Sequence, residues 1–209
     1  MKFTAQQLIS YFKDVGRVIE EKKDYLSELD RKLGDGDHGV TMSIGWHAVN
    51  ETLDSELTNE RDCGKISSAV GMTFLNAVGS SVGPLYATGF LRAAKVVSQK
   101  SELNDSELSQ YWISFINGVK ERGQSKVGDK TMIDTLQPAL EVLESKSGDF
   151  PSVFAEAVQA AERGMKATVN LVSKVGRSSR LGERSKGIQD PGATSAYLLV
   201  ATFLQTVAQ

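Results

Sequence analysis

Apolar residues recur along most of this chain at intervals of three and four, which is the spacing of a helix face turned toward a core. At the amino end, Thr4 and Gln7 form the pattern of a capping box, in which each side chain bonds the main chain of the other. A long amphipathic helix is therefore predicted to begin at Thr4 and to carry Asp30 at its carboxyl end. The apolar positions of this first helix are Leu8, Phe12, Val15, Ile19, Leu26 and Leu29.

The same spacing predicts seven further helices. Their apolar stripes cover 42–53, 66–77, 85–97, 108–119, 133–143, 152–172 and 193–208. A kink is expected at Pro138, and a helix cap at Asn104 and Asp105. The last helix is apolar on nearly every side, so it should be buried, and both tryptophans, Trp46 and Trp112, fit core positions. No segment shows a convincing strand pattern, and the fold class is predicted to be all-α.

Short connections place successive helices antiparallel, so eight helices should form an antiparallel barrel or bundle, a single domain over 1–209. The loops after helices one, three, five and seven then lie at one end. They contain eleven of the nineteen glycines: Gly34, Gly36, Gly39, Gly79, Gly83, Gly123, Gly128, Gly176, Gly182, Gly187 and Gly192. Because glycine lets the main chain approach a ligand closely, this asymmetry predicts one site, in the loops at one end.

Composition narrows the class of protein. The formal net charge of −2, with acidic and basic residues interspersed, argues against a nucleic-acid-binding surface. No apolar run reaches membrane-spanning length, and the amino terminus lacks the pattern of a signal peptide. The one cysteine, Cys63, excludes a disulfide scaffold and fits a reducing compartment. A soluble, cytoplasmic protein is expected, with neither nucleic acid nor membrane as a partner.

The segment Leu33 to Gly39, LGDGDHG, places Asp35 and Asp37 on a glycine-rich turn, one helical turn after Asp30. Carboxylate oxygens suit Mg²⁺ or Ca²⁺, whereas a lone Asp-Gly pair is more often a surface turn. An EF-hand is excluded, because the twelfth position counted from Asp35 is Trp46 and not glutamate. Three acids and three glycines in ten residues favour a metal site.

A nucleotide with its metal ions would use acids, main-chain amides, serines and arginines together. Neither GxxxxGK[ST] nor GxGxxG occurs, so the site is not of the P-loop or Rossmann type. His38 is compatible with a phosphate or ribose contact and equally with a loop histidine bonded to a neighbouring carbonyl. Arg177, Arg180 and Arg184 lie in a charged connection where at least one could meet phosphate. No triad spacing is present, and no catalytic side chain is assigned.

Three separated motifs carry a resemblance to a known family. LDRKLGDGDHG at 29–39, GDKTMID at 128–134 and GRSSRLGERSKGIQDPGATS at 176–195 resemble the ADP-binding L subunit of dihydroxyacetone kinase, the DhaL family, in its bacterial phosphotransferase-system-dependent type. The resemblance runs through all eight predicted helices. It implies an eight-helix antiparallel barrel that binds ADP or ATP and two Mg²⁺ ions at one end.

Site residues carry over by this resemblance. The implied metal ligands are Asp30, Asp35 and Asp37. The implied nucleotide contacts are His38, Gly39, Val40, Thr41, Ser80, Ser81, Val82, Gly123, Met132, Arg177, Asp190, Pro191 and Gly192. The family commonly has serine where this chain has Val82, directly before Gly83 and Pro84, so Ser80 or Ser81 would supply the hydroxyl instead.

The resemblance also implies partners. Dihydroxyacetone would be held on a separate K subunit, and a phosphohistidine M subunit of the phosphoenolpyruvate-dependent phosphotransferase system would rephosphorylate the bound nucleotide. Whether the chain forms a homodimer is left undecided by the resemblance. The alternatives are a nucleotide-binding regulatory module without transfer activity, the L subunit of an ATP-dependent kinase, and a calcium-binding structural bundle.

Overall fold

The structure, a computed structural model, describes residues 1–208, and the predicted all-α class is confirmed. Within that range there are eight α-helices, two 3-10 segments and a pair of two-residue strands. The helices are α1 (Ala5–Leu33), α2 (His38–Ser55), α3 (Cys63–Ala77), α4 (Val82–Val96), α5 (Asp105–Gly123), α6 (Ile133–Ser145), α7 (Phe150–Ala167) and α8 (Pro191–Val207). The strands are β1 (Phe3–Thr4) and β2 (Glu102–Leu103), and the 3-10 segments are Thr168–Asn170 and Arg177–Ser185.

The predicted caps are present. Thr4 and Gln7 form the capping box of α1, with the Gln7 amide 3.2 Å from the Thr4 hydroxyl and the Thr4 amide 2.8 Å from the Gln7 side chain. Asn104 caps α5 in the same way, together with Glu107. Since both caps are built from residues three apart in sequence, they form without help from the rest of the fold.

Helix α4 begins at Val82, three residues before the predicted start at Leu85. Pro84 had indicated loop, but in the first turn of a helix its missing amide has no intrahelical acceptor to lose. The loop before α4 is therefore confined to 78–81, and the helix amino terminus comes close to the site described below.

Helix α7 ends at Ala167, whereas the apolar stripe predicted helix as far as Val172. The chain continues there as the 3-10 segment Thr168–Asn170, in which the Thr168 hydroxyl donates to the Met165 carbonyl, at 2.6 Å, and accepts from the Asp190 amide, at 3.0 Å. We call the connection from α7 to α8, residues 168–190, the strap. Its middle is the 3-10 segment Arg177–Ser185, which breaks at Gly182, where φ is 55°.

The helices pack in sequence as neighbours, and α8 closes the arrangement by contacting α1, α6 and α7. Trp46 and Trp112 are fully buried, as predicted, and Trp112 packs on Phe154 and Phe203 with ring centroids 5.3 and 5.1 Å apart. Helix α8 is buried along most of its length, also as predicted. Cys63 is buried as well, in line with a small apolar role.

The strands pair antiparallel, with Phe3 opposite Leu103. Sequence analysis did not predict them, because two residues are too few to show an alternating pattern. Among residues 1–208, no helix has the combination of length and apolar character that crossing a bilayer requires.

Candidate functional site

The four glycine-rich loops line one cavity of about 480 Å³ at one end of the helices. The loops that follow α1, α3, α5 and α7 all contribute to it. Part of its wall is apolar and comes from Leu33, Leu85, Val119 and Ile133. The cavity therefore offers polar loops on one side and an apolar surface on another, as a nucleotide requires.

The loop between α1 and α2, residues 34–37, is called the acidic loop and folds back on the end of α1. Asp30 Oδ2 accepts hydrogen bonds from the Asp37 amide, at 2.8 Å, and from the His38 amide, at 3.1 Å. Gly36 allows the turn, since its φ of 80° is unfavourable for other residues. As a result, one carboxylate oxygen from each of Asp30, Asp35 and Asp37 lies within 4.8 Å of the others.

Three carboxylates this close repel one another unless positive charge lies between them. Arg177 of the strap supplies some of it: its guanidinium pairs with Asp35, and Nη1 lies 3.7 Å from Asp37 Oδ2. The guanidinium stands where a cation would be expected. All-oxygen donors, two of them on exposed side chains, fit a hard divalent ion that keeps part of its shell for water or phosphate.

His38 is buried, and its ring is directed toward α8. Nε2 lies 3.0 Å from the Ser195 hydroxyl, which in turn is 3.3 Å from the Tyr86 hydroxyl. Burial lowers the pKa of His38 to about 4, against the attraction of Asp30, so the imidazole is neutral at pH 7. Of the two interpretations of this histidine, the geometry favours bonding to a protein group.

The loop before α4, residues 78–81, presents a buried hydroxyl at the cavity. Among the described residues, Ser80 Oγ is one of the few buried side-chain polar atoms with no hydrogen-bond partner. Val82 packs into the hydrophobic core, and Ser81 is exposed at the amino terminus of α4. A buried hydroxyl without a partner costs free energy, so Ser80 is the serine of this loop that is poised to bind a ligand.

The opposite wall is a turn held by Asp134. Its two carboxylate oxygens accept from the Gly128 amide, at 2.6 Å, and from the Thr131 amide, at 2.8 Å. Met132 follows as the first residue before α6 and is 6% exposed. The turn is thus fixed to α6, and with it the position of the Met132 side chain.

Asp190 caps α8 beside the cavity. Its Oδ2 accepts from the Ala193 amide at 2.8 Å, and Pro191 and Gly192 form the first turn of the helix. Burial raises the pKa of Asp190 from 3.8 to about 7, and the Ala193 amide and the Lys130 ammonium only partly oppose this effect.

Thirteen of the sixteen predicted site residues line the cavity. The three that do not line it lie along the first turn of α2: Gly39, Val40 and Thr41. Of these, Val40 is 46% exposed. Gly39 contacts α1 so closely that a Cβ atom would lie 1.9 Å from the Lys23 carbonyl. The packing of α2 on α1 is therefore a sufficient reason for glycine there.

Sequence reasoning assigned no role to several polar residues of the wall. They are Arg122, Ser125, Lys130, Thr131 and Ser178. The signal for two of them was available, because Lys130 and Thr131 belong to the motif GDKTMID. What the motif could not show is where the long lysine side chain goes.

The family model described as the DAK2 domain matches residues 32–205. The chain therefore belongs to the DAK2 domain family.

Curated relatives define the family more narrowly. The chain is 39% identical to "PEP-dependent dihydroxyacetone kinase 2, ADP-binding subunit DhaL" of Listeria innocua, over 93% of this chain and 91% of the relative. It is 36% identical to the DhaL subunit of the PEP-dependent enzyme of Escherichia coli, over 96% of each chain. It is also 35% identical to the DhaL subunit of the PTS-dependent enzyme of Lactococcus lactis, over 98% of this chain and 99% of the relative. Within the DAK2 domain family, this chain is a member of the DhaL group of kinase subunits, which are phosphotransferase components.

Solved structures agree on the fold. The native dihydroxyacetone kinase of C. freundii superposes with a TM-score of 0.74 at 25% identity, over 95% of this chain. The same kinase in complex with AMP-PNP and Mg²⁺ gives a TM-score of 0.74 at 23% identity. This chain spans about a third of the length of those kinase chains, 34% and 33%.

Proposed function

We propose that this chain, as a single domain, binds ADP or ATP with two Mg²⁺ ions in the cavity and passes the terminal phosphoryl group to dihydroxyacetone on a separate K subunit. One observation carries the proposal: three carboxylates converge at one of the four glycine-rich loops that line the cavity. Membership of the DhaL group supports ADP as the nucleotide and dihydroxyacetone as the substrate, since the relatives are named ADP-binding subunits of dihydroxyacetone kinases.

The acidic loop would hold the ions through Asp30, Asp35 and Asp37. When bound, Mg²⁺ would supply the positive charge that phosphate oxygens require. The Ser80 hydroxyl and the amides at the amino termini of α2 and α4 would bind phosphate oxygens, because helix amino termini favour anions. Arg177 would move from the acids to the phosphates once the ions replace its charge.

The apolar wall would receive the adenine. Met132 lies on it, and a flexible thioether packs well against an aromatic ring. His38 and Asp190 would shape the wall of the cavity, through the contacts they make to α8. The remaining contacts implied by the resemblance are Ser81, Val82, Gly123, Pro191 and Gly192.

No side chain needs to form a covalent intermediate. Phosphoryl transfer asks the protein mainly to align donor and acceptor and to stabilise charge, and the site is made of groups suited to both tasks. The chain's contribution would be to hold the terminal phosphate at the open end of the cavity, where a K subunit can present the acceptor hydroxyl.

The phosphoryl donor is proposed to be the phosphohistidine of an M subunit. Relatives from three bacteria are named PEP-dependent or PTS-dependent, which supports this assignment. The strap supports it too, because it places Gly176, Arg177 and Ser178 along the cavity. A nucleotide covered in this way would leave slowly and could be rephosphorylated in place.

Reconstitution tests the proposal. The purified chain should retain nucleotide, and it should phosphorylate dihydroxyacetone over many turnovers only when the K subunit and a phosphorylated M subunit are both added. With K and free ATP alone, about one turnover is expected, since release of the bound cofactor limits exchange. Sustained turnover on free ATP without M would instead identify the L subunit of an ATP-dependent kinase. Nucleotide binding with no transfer in the full mixture would contradict the proposal and favour a regulatory module.

A further inference from the structure

The ammonium group of Lys130 is buried in a cage of main-chain carbonyl groups. The residue is 1% exposed. Its Nζ donates to four carbonyl oxygens, those of Thr168, Leu171, Ser185 and Ile188, at 2.8, 3.2, 2.7 and 2.5 Å. All four acceptors belong to the strap, and Lys130 itself lies in the loop before α6. The contact therefore joins two loops that are about 40 to 60 residues apart in sequence.

A buried ammonium is retained only where it is well compensated. An ammonium has three hydrogens, so four carbonyl oxygens satisfy it fully. Asp190 and Asp134 add negative charge nearby, which favours the charged form against the effect of burial. Burial still lowers the pKa of Lys130 on balance. The hydrogen bonds that retain the ammonium depend on the strap being folded, because only the strap brings the four oxygens together.

The main chain of Lys130 is in the left-handed region, with φ of 62°. This conformation is unfavourable for a long side chain and persists where surrounding contacts impose it. Asp134 imposes it here, by accepting from the amides of Gly128 and Thr131 on either side. The strained residue points its side chain out of the loop and into the strap.

The four carbonyls come in two pairs, 168–171 and 185–188, at the two ends of the strap. Between them lies the segment 172–184, which includes Arg177. Three main-chain amides also join the ends: that of Gly187 donates to the Val169 carbonyl, at 2.7 Å, that of Ser173 to the Ser185 hydroxyl, at 2.9 Å, and that of Asp190 to the Thr168 hydroxyl, at 3.0 Å. Lys130 is the charged group that holds both ends at once.

We propose that Lys130 is a positioning residue whose ammonium clamps the two ends of the strap, holds Arg177 beside the cavity and so sets how slowly bound nucleotide leaves. The part that concerns nucleotide rests on the proposed function. The clamping of the strap does not, because it is a property of the protein alone.

The test compares Lys130→Met with Lys186→Met. Lys186 is a matched control, since it lies in the same strap but is exposed and pairs only locally with Glu183, at 2.9 Å. Release of a fluorescent mant-ADP, in Mg²⁺ and with excess ADP as chase, should be at least about tenfold faster in Lys130→Met, because hydrogen bonds to a charged group are stronger than neutral ones. The control should release it at the parental rate. Equal rates in all three proteins would overturn the link to release.

Hydrogen exchange without nucleotide tests the clamp separately. Amides of 172–184 should exchange faster in Lys130→Met than in the parent, while those of the α-helices keep their protection. A strap that exchanges at the parental rate would overturn the clamp. If the parent itself fails to bind mant-ADP, the proposed function fails, and the exchange result still decides the clamp.

The parent protein provides a third measurement that needs no variant. In ¹⁵N spectra of the side chains, the caged Lys130 ammonium should give a resonance whose protons exchange slowly with water, unlike the exposed Lys186 ammonium. A merely space-filling lysine would not show this signature. Fast exchange at Lys130 in the folded parent would overturn the proposal, whether or not Lys130→Met folds.

Discussion

Replacing Asp190 by asparagine should change how the stability of the protein depends on pH. Asp190 is 8% exposed, and its pKa is raised by burial from 3.8 to about 7. Its Oδ2 caps α8 by accepting from the Ala193 amide at 2.8 Å. Asparagine keeps the size of the side chain and an oxygen for the cap, but it has no proton to titrate in this range. The variant therefore removes the titration and leaves most of the structure.

The sign follows from the direction of the shift. A carboxyl group with a raised pKa binds its proton more tightly in the folded protein, so its contribution to stability is complete below pH 3.8 and is lost as pH rises through about 7. One pKa unit corresponds to about 1.36 kcal/mol, so the shift amounts to about 4 kcal/mol at most. Between pH 8 and pH 5 the parent should gain about 3 kcal/mol in unfolding free energy relative to Asp190→Asn.

The assay is urea unfolding at pH 5, 6, 7 and 8, with a chelator and without nucleotide, so that only the protein's own groups titrate. Parent and variant share every other ionisable group, including His38, and those contributions cancel in the difference. Asp149→Asn is a matched control, because Asp149 caps α7 through the Ser152 amide, at 3.0 Å, but is exposed and has a lowered pKa. Its difference from the parent should stay constant over this range.

Parallel curves for the parent and Asp190→Asn from pH 5 to 8 would contradict this prediction. They would mean that the folded protein does not perturb this carboxyl group, and that its burial is relieved by water or by movement of the strap. If the unfolding free energy of the parent instead rose relative to that of Asp190→Asn toward pH 8, the pKa shift of Asp190 would have the opposite sign. That result would show that the Lys130 ammonium outweighs burial at this site.

Three further outcomes are expected. Asp37→Asn should lose most of its bound nucleotide on gel filtration in Mg²⁺, because an amide gives the ion no negative charge. The variant should still fold, since the Asp37 side chain makes no cap bond to α2. The control variant Asp24→Asn should retain nucleotide like the parent. Removing Mg²⁺ from the nucleotide-bound protein should lower its melting temperature, and an unchanged value would exclude a ligand-linked ion. Gly164→Ala should lower the unfolding free energy by about 1–3 kcal/mol or more in urea, since its Cβ would lie 1.9 Å from the Asp134 carbonyl. Gly79→Ala, with nothing within 4 Å of its Cβ, is the neutral control.

Much of the helical framework could be predicted from the sequence. The apolar period located eight helices, and the caps at Thr4 and Asn104 were right, because these signals come from residues within one or two helical turns of each other. The ends of α4 and α7 were predicted less well. Pro84 indicates a loop from its local sequence but is tolerated in the first turn of a helix. Helix α7 ends before Thr168, whose hydroxyl accepts from the amide of Asp190, 22 residues further on.

The acidic loop was also accessible to sequence reasoning, since Asp30, Asp35 and Asp37 are close in the chain and the glycines between them mark a turn. The gathering of four loops at one end followed from the number of helices and their short connections. Neither conclusion required any knowledge of which side chains are buried.

Burial and long-range contact decided the rest. His38 lies 157 residues from Ser195, and Lys130 lies 38 to 58 residues from its carbonyl partners, so no local pattern could reveal either contact. The pKa values of His38 and Asp190 depend on how much water the folded protein excludes from them. The helices and the acidic loop could be predicted because they depend on neighbouring residues. How the strap is held and which site groups are charged depend on what folding places around them, so these features are visible only in the folded protein.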